Sequence, residues 1–134
     1  MNIQIKKHCI MSIEEFFKHE LQEWNASIEF YLVDLDILQN RLIEVAGKNT
    51  KTAVMEGVEH FQNQFIVQKD NLQSLRHKVL AQNNKLEAVI KNIKALDDLN
   101  LVDEQHFLRE AVQLNEKILQ ELKHNFYRFL SKVF

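Results

Sequence analysis

Proline is absent from this chain of 134 residues, and glycine occurs only at positions 47 and 57. These two residue types mark most turns, so a chain that nearly lacks them is expected to have few turns and long regular elements. Cys9 is the only cysteine, which excludes an internal disulfide and a zinc site made of several thiolates. No stretch approaches the roughly 18 apolar residues of a membrane-spanning helix. A cytoplasmic location without membrane association is therefore expected.

Composition and length predict a single folded domain. Apolar residues make up 46% of the chain and charged residues 27%, values that are ordinary for folded proteins. The formal net charge of -2 provides no long-range attraction to nucleic acid or to an anionic membrane. We expect a flexible N-terminal arm at residues 1–11 and one helical-bundle domain at residues 12–134.

The apolar residues recur at alternating steps of four and three positions, which is the spacing of packed or coiled-coil helices. The first series follows a capping-box sequence, Ser12-Ile-Glu-Glu15, and ends before Gly47, a candidate for the left-handed position after a helix. Further series cover residues 54–96 and 108–133. The members of the first series are Phe17, Leu21, Trp24, Ile28, Tyr31, Leu35, Leu38, Leu42 and Val45.

These series predict helices at about residues 12–47, 52–97 and 101–134. Because the connections are short, neighbouring helices should run antiparallel, which gives an all-α, up-down-up three-helix bundle with long, coiled-coil-like helices. The first helix is acidic and residues 69–94 are basic, which favours placing them side by side. The second helix is the longest, so we expect its ends to be incompletely covered. The end residues concerned are Val54, Val58, Phe61, Phe65, Val89, Ile93 and Leu96.

The first helix carries a second apolar stripe on the side opposite its core seam, where a monomeric helix should be polar. Phe107 and Leu114 form a shorter counterpart on the third helix. We expect these residues to bind a partner, most simply a second copy in a two-fold dimer. Two alternatives remain: packing within the same chain, against residues 1–11 or a bent second helix, and scattered exposure without function. The stripe consists of Phe16, Ala26, Phe30, Val33 and Ile37.

Sequence motifs do not indicate catalysis or a cofactor. Glu121-Leu-Lys-His124 has the spacing found in di-iron bundles, but its position relative to the apolar seam directs both side chains outward. With two isolated glycines, a phosphate-binding loop is not expected. The polar seam residues Gln68, Gln82 and Asn115 are expected to set helix register, with a buried ligand site as the alternative. We therefore predict no enzyme, no metal and no cofactor.

The function predicted from these features is a non-enzymatic helical module for protein–protein interaction or oligomerisation, acting as an adaptor or scaffold. One alternative is a nucleic-acid-associated protein that uses the basic face at residues 69–94. Another is a bundle that binds a small ligand. The net charge and the acidic first helix make the basic face a poor candidate for nucleic acid, so nucleic-acid binding is not the expected function.

Overall fold

A computed structural model describes residues 12–48, 51–91 and 100–134. It contains the helices α1 (Ile13–Lys48), α2 (Thr52–Ile90) and α3 (Leu101–Val133), which all contact one another. The predicted all-α three-helix bundle is confirmed. The proposed N-terminal arm at residues 1–11 lies outside the described residues.

Cross-helix contacts give the direction of each helix. Lys18 lies near Glu87, and Arg76 lies near Glu29, so α1 and α2 are antiparallel. Glu20 pairs with Arg109 near the start of both α1 and α3, and Asp34 pairs with Lys123 further along both, so these two helices run parallel. The chain therefore passes up, down and up.

The start of α1 follows the sequence prediction, whereas its end does not. The hydroxyl of Ser12 accepts a hydrogen bond from the Glu15 amide at 3.2 Å, as in a capping box. Gly47 was predicted to adopt a left-handed conformation after the helix, but it lies inside α1 and its φ is not positive. The left-handed position occurs instead at Asn100, with φ 50°, directly before α3. Asparagine tolerates this conformation better than most residues.

The position of α3 along α2 differs from the one expected if the chain folded back directly after residue 97. Helix α2 ends at Ile90, seven residues before the predicted end; residues 92–97 lie outside the described part of the chain. The Gln82 side chain donates to the carbonyl of Leu101, so α3 starts level with Gln82 and not level with residue 97. This displaces α3 by roughly 20 Å along α2 relative to a direct fold-back after residue 97.

As a result, the predicted exposure of the first turns of α2 is wrong. Phe65 is fully buried, and Val58 and Phe61 are also buried, because the end of α3 reaches them. Phe126 lies 5.3 Å from Phe61 and 5.2 Å from Phe65 between ring centroids. Val54 packs at the edge of this core, Val89 is buried at the other end of α2, and Ile93 and Leu96 lie outside the described residues.

A glycine permits the close approach of α2 and α3 at this end. A Cβ atom placed on Gly57 would overlap the Phe129 ring, at 2.8 Å from its Cζ atom. The Phe129 ring in turn lies 5.2 Å from the ring of Phe61. Gly57 therefore leaves the space that the Phe129 side chain occupies.

Candidate interaction surface

The stripe on α1 is exposed to solvent in the single chain. Phe16, Phe30, Val33 and Ile37 expose 48%, 65%, 57% and 47% of their surface, and Ala26 is exposed as well. By contrast, the core seam of the same helix includes Ile28 and Leu35, which are fully buried. One helix therefore presents two apolar faces, of which the bundle covers one.

Helical geometry explains this arrangement. Residues three and four apart share a helix face, so the series Ala26, Phe30, Val33 and Ile37 forms one continuous line. The line lies opposite Ile28 and the rest of the seam, and α2 and α3 both pack against that seam. Covering of the stripe by a bent α2, one of the alternatives above, is thus excluded for the described residues.

Ion pairs follow both edges of α1 between the buried and the exposed face. On the side of α2, Arg76 donates to Glu29 at 2.9 Å and Lys69 lies 3.7 Å from Asp36. On the side of α3, Lys123 donates to Asp34 at 2.7 Å. These three carboxylates therefore pair with cations of the same chain, and the exposed residues Phe30 and Val33 between them are apolar.

Phe107 and Leu114 are also exposed, at 52% and 57%, but they do not join the α1 stripe. The ammonium group of Lys78 on α2 lies 5.6 Å from the centre of the Phe107 ring, a cation–π distance. Phe107 therefore faces the α2 side of α3, away from the outer side of α1. The structure separates the predicted partner-binding residues into two surfaces.

A third surface feature, a groove with apolar and polar lining, was not predicted from the sequence. Ile43 is 69% exposed and lies with Ala46 and Val58 in an open groove of about 590 Å³ between the end of α1 and the start of α2. Ile43 comes one residue after the seam residue Leu42, where a polar residue is expected. An apolar residue at this position was the sequence feature that could have indicated the groove.

The inward amides connect the helices. Gln68 donates to the side-chain oxygen of Asn115 at 3.2 Å, which links α2 and α3 at mid-height. Asn115 in turn donates to the carbonyl of Ala111 at 2.8 Å. These contacts support the predicted role of Gln68 and Asn115 in helix register, because each amide requires a partner at a particular height.

A second polar connection joins all three helices and includes a residue that the sequence reading missed. Gln82 donates to Gln105 at 3.1 Å, and Gln105 donates both to the carbonyl of Phe17 and to the carboxylate of Glu20, each at 3.2 Å. Both glutamines are buried. Within the described residues, the side-chain oxygen of Gln82 is the one buried polar side-chain atom without a hydrogen-bond partner.

Arg109 binds the Glu20 carboxylate at the solvent-facing side of this hydrogen-bonded group. Its guanidinium group donates two hydrogen bonds to Glu20, at 2.7 and 2.6 Å, in the two-pronged geometry that binds carboxylates strongly. The hydrogen bond to Glu20 is the main cause that raises the pKa of Arg109 above its ordinary value. Arg109 also lies 5.9 Å from the centre of the Trp24 ring, so it covers that core aromatic residue.

The groups considered for metal or nucleic-acid binding are either exposed to solvent or paired with other side chains in part. Glu121 and His124 are exposed, and His124 lies 2.9 Å from the guanidinium group of Arg128. Across residues 12–48, 51–91 and 100–134, no cluster of three or more His, Cys, Asp or Glu residues could hold a metal ion. In the basic segment, Lys69 and Arg76 pair with carboxylates of α1.

Comparisons with known proteins do not assign a function. No protein-family model matches the chain, and neither the curated proteins nor the solved structures contain a significant match. Among the helices of the described residues, none combines the length and the apolar character needed to cross a membrane.

Proposed function

We propose that this protein is a non-enzymatic helical interaction module, which associates with another apolar helix through the exposed stripe on α1 and acts as an adaptor or scaffold. The observation that supports this most directly is the exposure of Phe30, Val33 and Ile37 in one line on a helix whose opposite face is already in the core. The proposal includes reversible self-association and the cytoplasmic location expected from the sequence.

The size of the stripe is compatible with such an association. Burial of a Phe, Val or Ile side chain contributes about 1.5–3 kcal/mol, and the lower part of this range applies to side chains that are already half covered. A contact between two copies buries Phe30, Val33 and Ile37 from each, or roughly 9 kcal/mol in total at that lower value. Association costs about 4–15 kcal/mol in lost freedom, so we expect a reversible and not a permanent assembly.

Nucleic-acid binding receives less support from the structure than from the sequence alone. Lys69 and Arg76, two of the basic residues of α2, lie against Asp36 and Glu29. Lys78 lies over the ring of Phe107. Neutralised cations release few counterions from a phosphate backbone, and electrostatic affinity depends on that release.

Light scattering coupled to gel filtration tests the proposal. The wild-type chain should show a concentration-dependent mass above that of a monomer, and Phe30→Glu/Ile37→Lys should reduce it to the monomer. The matched control is Phe107→Glu/Leu114→Lys, which introduces the same two charges at comparably exposed apolar positions on another face. The control should retain self-association.

Circular dichroism accompanies both variants, and we expect unchanged helicity because the substituted side chains are exposed. A wild-type protein that stays monomeric at millimolar concentration, or a Phe30→Glu/Ile37→Lys variant that associates as well as the wild type, contradicts the proposal.

A further inference from the structure

We propose that the stripe on α1 is covered by α1 of a second copy of this chain, in antiparallel orientation, with the two-fold axis passing between Tyr31 and Leu32. This inference rests on the proposed function of the stripe and adds the partner, the orientation and the register. The argument comes from the order of apolar, charged and small residues along the exposed face.

Five of the ten outward heptad positions of α1 are apolar, and four of these five are consecutive, between Ala26 and Ile37. Starting at Phe16, the outward positions alternate by three and four residues along the whole of α1. All of them are exposed in the single chain. The ten positions are Phe16, His19, Glu23, Ala26, Phe30, Val33, Ile37, Asn40, Glu44 and Gly47.

These ten positions correspond to the a and d positions of a heptad. In an antiparallel pair, each a position of one helix lies opposite a d position of the other. In the register centred between Tyr31 and Leu32, Phe30 lies opposite the second copy's Val33, and Ala26 lies opposite its Ile37. Two-fold symmetry repeats both pairs, so four consecutive layers at the centre of the contact are apolar. No apolar residue of these layers faces a charge.

The polar positions also match in this register. Glu23 lies opposite Asn40 of the second copy, and His19 lies opposite Glu44, so like charges do not meet along the line. At each end Phe16 lies opposite Gly47, which has no side chain and leaves room for the phenyl ring.

Other arrangements match less well. A shift of one heptad in either direction places Val33 opposite Glu23 or Phe30 opposite Asn40, which buries polar groups against apolar ones. A parallel pair places each glutamate of the line, Glu23 and Glu44, opposite its own copy, and like charges in contact are destabilising. The apolar residues thus disfavour the shifted registers, and the two glutamates disfavour the parallel pair.

The edge of the contact on the α2 side tolerates the close approach of two acidic helices. In this register Glu29 of one copy approaches Asp36 of the other, and two free carboxylates there would repel. Within each chain, however, Arg76 lies 2.9 Å from Glu29 and Lys69 lies 3.7 Å from Asp36. Helix α2 therefore provides the cations that allow two copies of α1 to meet.

Site-specific cross-linking tests the orientation and register. In a Cys9→Ser background, Ala26→Cys and Ile37→Cys are prepared as separate proteins and treated with a short bis-maleimide, alone and as a mixture. The mixture should give a covalent dimer. Neither protein alone should, because identical positions lie 11 residues, or roughly 16 Å, apart along the axis. A mixture of Ala26→Cys with Phe107→Cys is the negative control.

The outcomes separate this inference from the function on which it rests. Efficient cross-linking of Ala26→Cys alone overturns the antiparallel arrangement, while loss of self-association in Phe30→Glu/Ile37→Lys still supports the stripe as the binding surface. A wild-type protein that is monomeric overturns both. Self-association that Phe30→Glu/Ile37→Lys does not affect also overturns both.

A charge exchange provides a second readout. His19→Glu places two glutamates opposite each other in the proposed register and should weaken dimerisation by roughly fivefold. Adding Glu44→Lys should restore it, because each pair then has opposite charges. If Glu44→Lys has no effect in this background, or weakens dimerisation further, the register is wrong.

Discussion

The two ends of the bundle are held together by different interactions. At the end where α1 and α3 begin, Gln82, Gln105 and Glu20 form hydrogen bonds that cross all three helices. At the other end, four phenylalanine rings from α2 and α3 pack in a cluster with centroid separations of 5.2–6.4 Å. The rings belong to Phe61, Phe65, Phe126 and Phe129. We call these regions the amide end and the phenylalanine end.

The comparison separates the contacts that stabilise the bundle from the contacts that select one alignment of its helices. Apolar contacts have little directional preference, so a ring cluster stabilises the bundle but tolerates small changes of height. Buried amides require partners at defined positions, so they favour one register over others. The amide end should therefore determine how α3 aligns with α1 and α2, and the phenylalanine end should contribute more to the free energy of unfolding.

The largest effect is expected at the phenylalanine end. Phe126 is fully buried among three other rings, and Phe126→Ala should lower the free energy of unfolding by about 3–5 kcal/mol, since it removes the ring and leaves a cavity. Urea denaturation followed by circular dichroism measures this change. Tyr127→Ala, at the exposed neighbouring position, is the matched control and should cost much less. A loss below about 1 kcal/mol for Phe126→Ala would contradict the assignment of stability to this end.

A smaller effect with a distinctive pattern is expected at the amide end. Gln105→Leu removes one of the two acceptors of Gln82 and the donor to the Phe17 carbonyl. It should cost about 1–3 kcal/mol, because buried polar groups are left without these partners. Gln82→Leu/Gln105→Leu removes both partners and should cost less than the sum of the two single changes. The same denaturation experiment gives the double-mutant cycle. Strictly additive losses would show that the two amides do not act as a pair.

The smallest expected change in the free energy of unfolding comes from the ionisation of Tyr31, which lies between the two ends. Partial burial, followed by the negative charge of nearby Glu116, raises the pKa of Tyr31 above its ordinary value of 10.0. The folded chain therefore keeps the phenolic proton to higher pH than the unfolded chain, and the free energy of unfolding falls as the pH rises above about 10.

Tyr31→Phe should reduce this alkaline loss in the free energy of unfolding. Thermal unfolding of the wild type and of the variant, at neutral pH and above pH 10, measures the difference. Glu116→Gln removes the negative charge but leaves the partial burial of Tyr31, so its effect should be intermediate. A Tyr31→Phe protein with the same alkaline loss of stability as the wild type would contradict the interpretation.

Much of the fold follows from the sequence because the heptad spacing is regular. The starts of α1 and α2, at Ile13 and Thr52, agree with the prediction, and so does the exposed stripe around Phe30. The Ser12 cap was also recognisable, because its residue types and spacing are local. These features depend on helix periodicity alone and need no knowledge of the neighbouring helices.

The partner-binding role of the candidate surface stays a prediction, and the structure shows only how its residues are placed. The stripe on α1 was identified, but Phe107 and Leu114 were grouped with it although α3 directs Phe107 toward α2. The relation between two helix faces depends on how each helix is rotated in the bundle, which a one-dimensional pattern does not specify. Gln105 was missed because the third series was started at Leu108, although the same spacing extends back to Gln105; its partners, Gln82 and Phe17, lie 23 and 88 residues away.

By itself, the sequence determined three long helices, their buried seams and a surplus apolar face on α1, because side-chain periodicity follows directly from helix geometry. Only the tertiary structure decided the height of α3, the burial of the first turns of α2 and the separation of the apolar surfaces. The reason is that heptad contacts nearly repeat at every turn, so several alignments bury similar apolar area. The alignment depends on where α2 ends and on long-range partners such as Gln82 and Gln105.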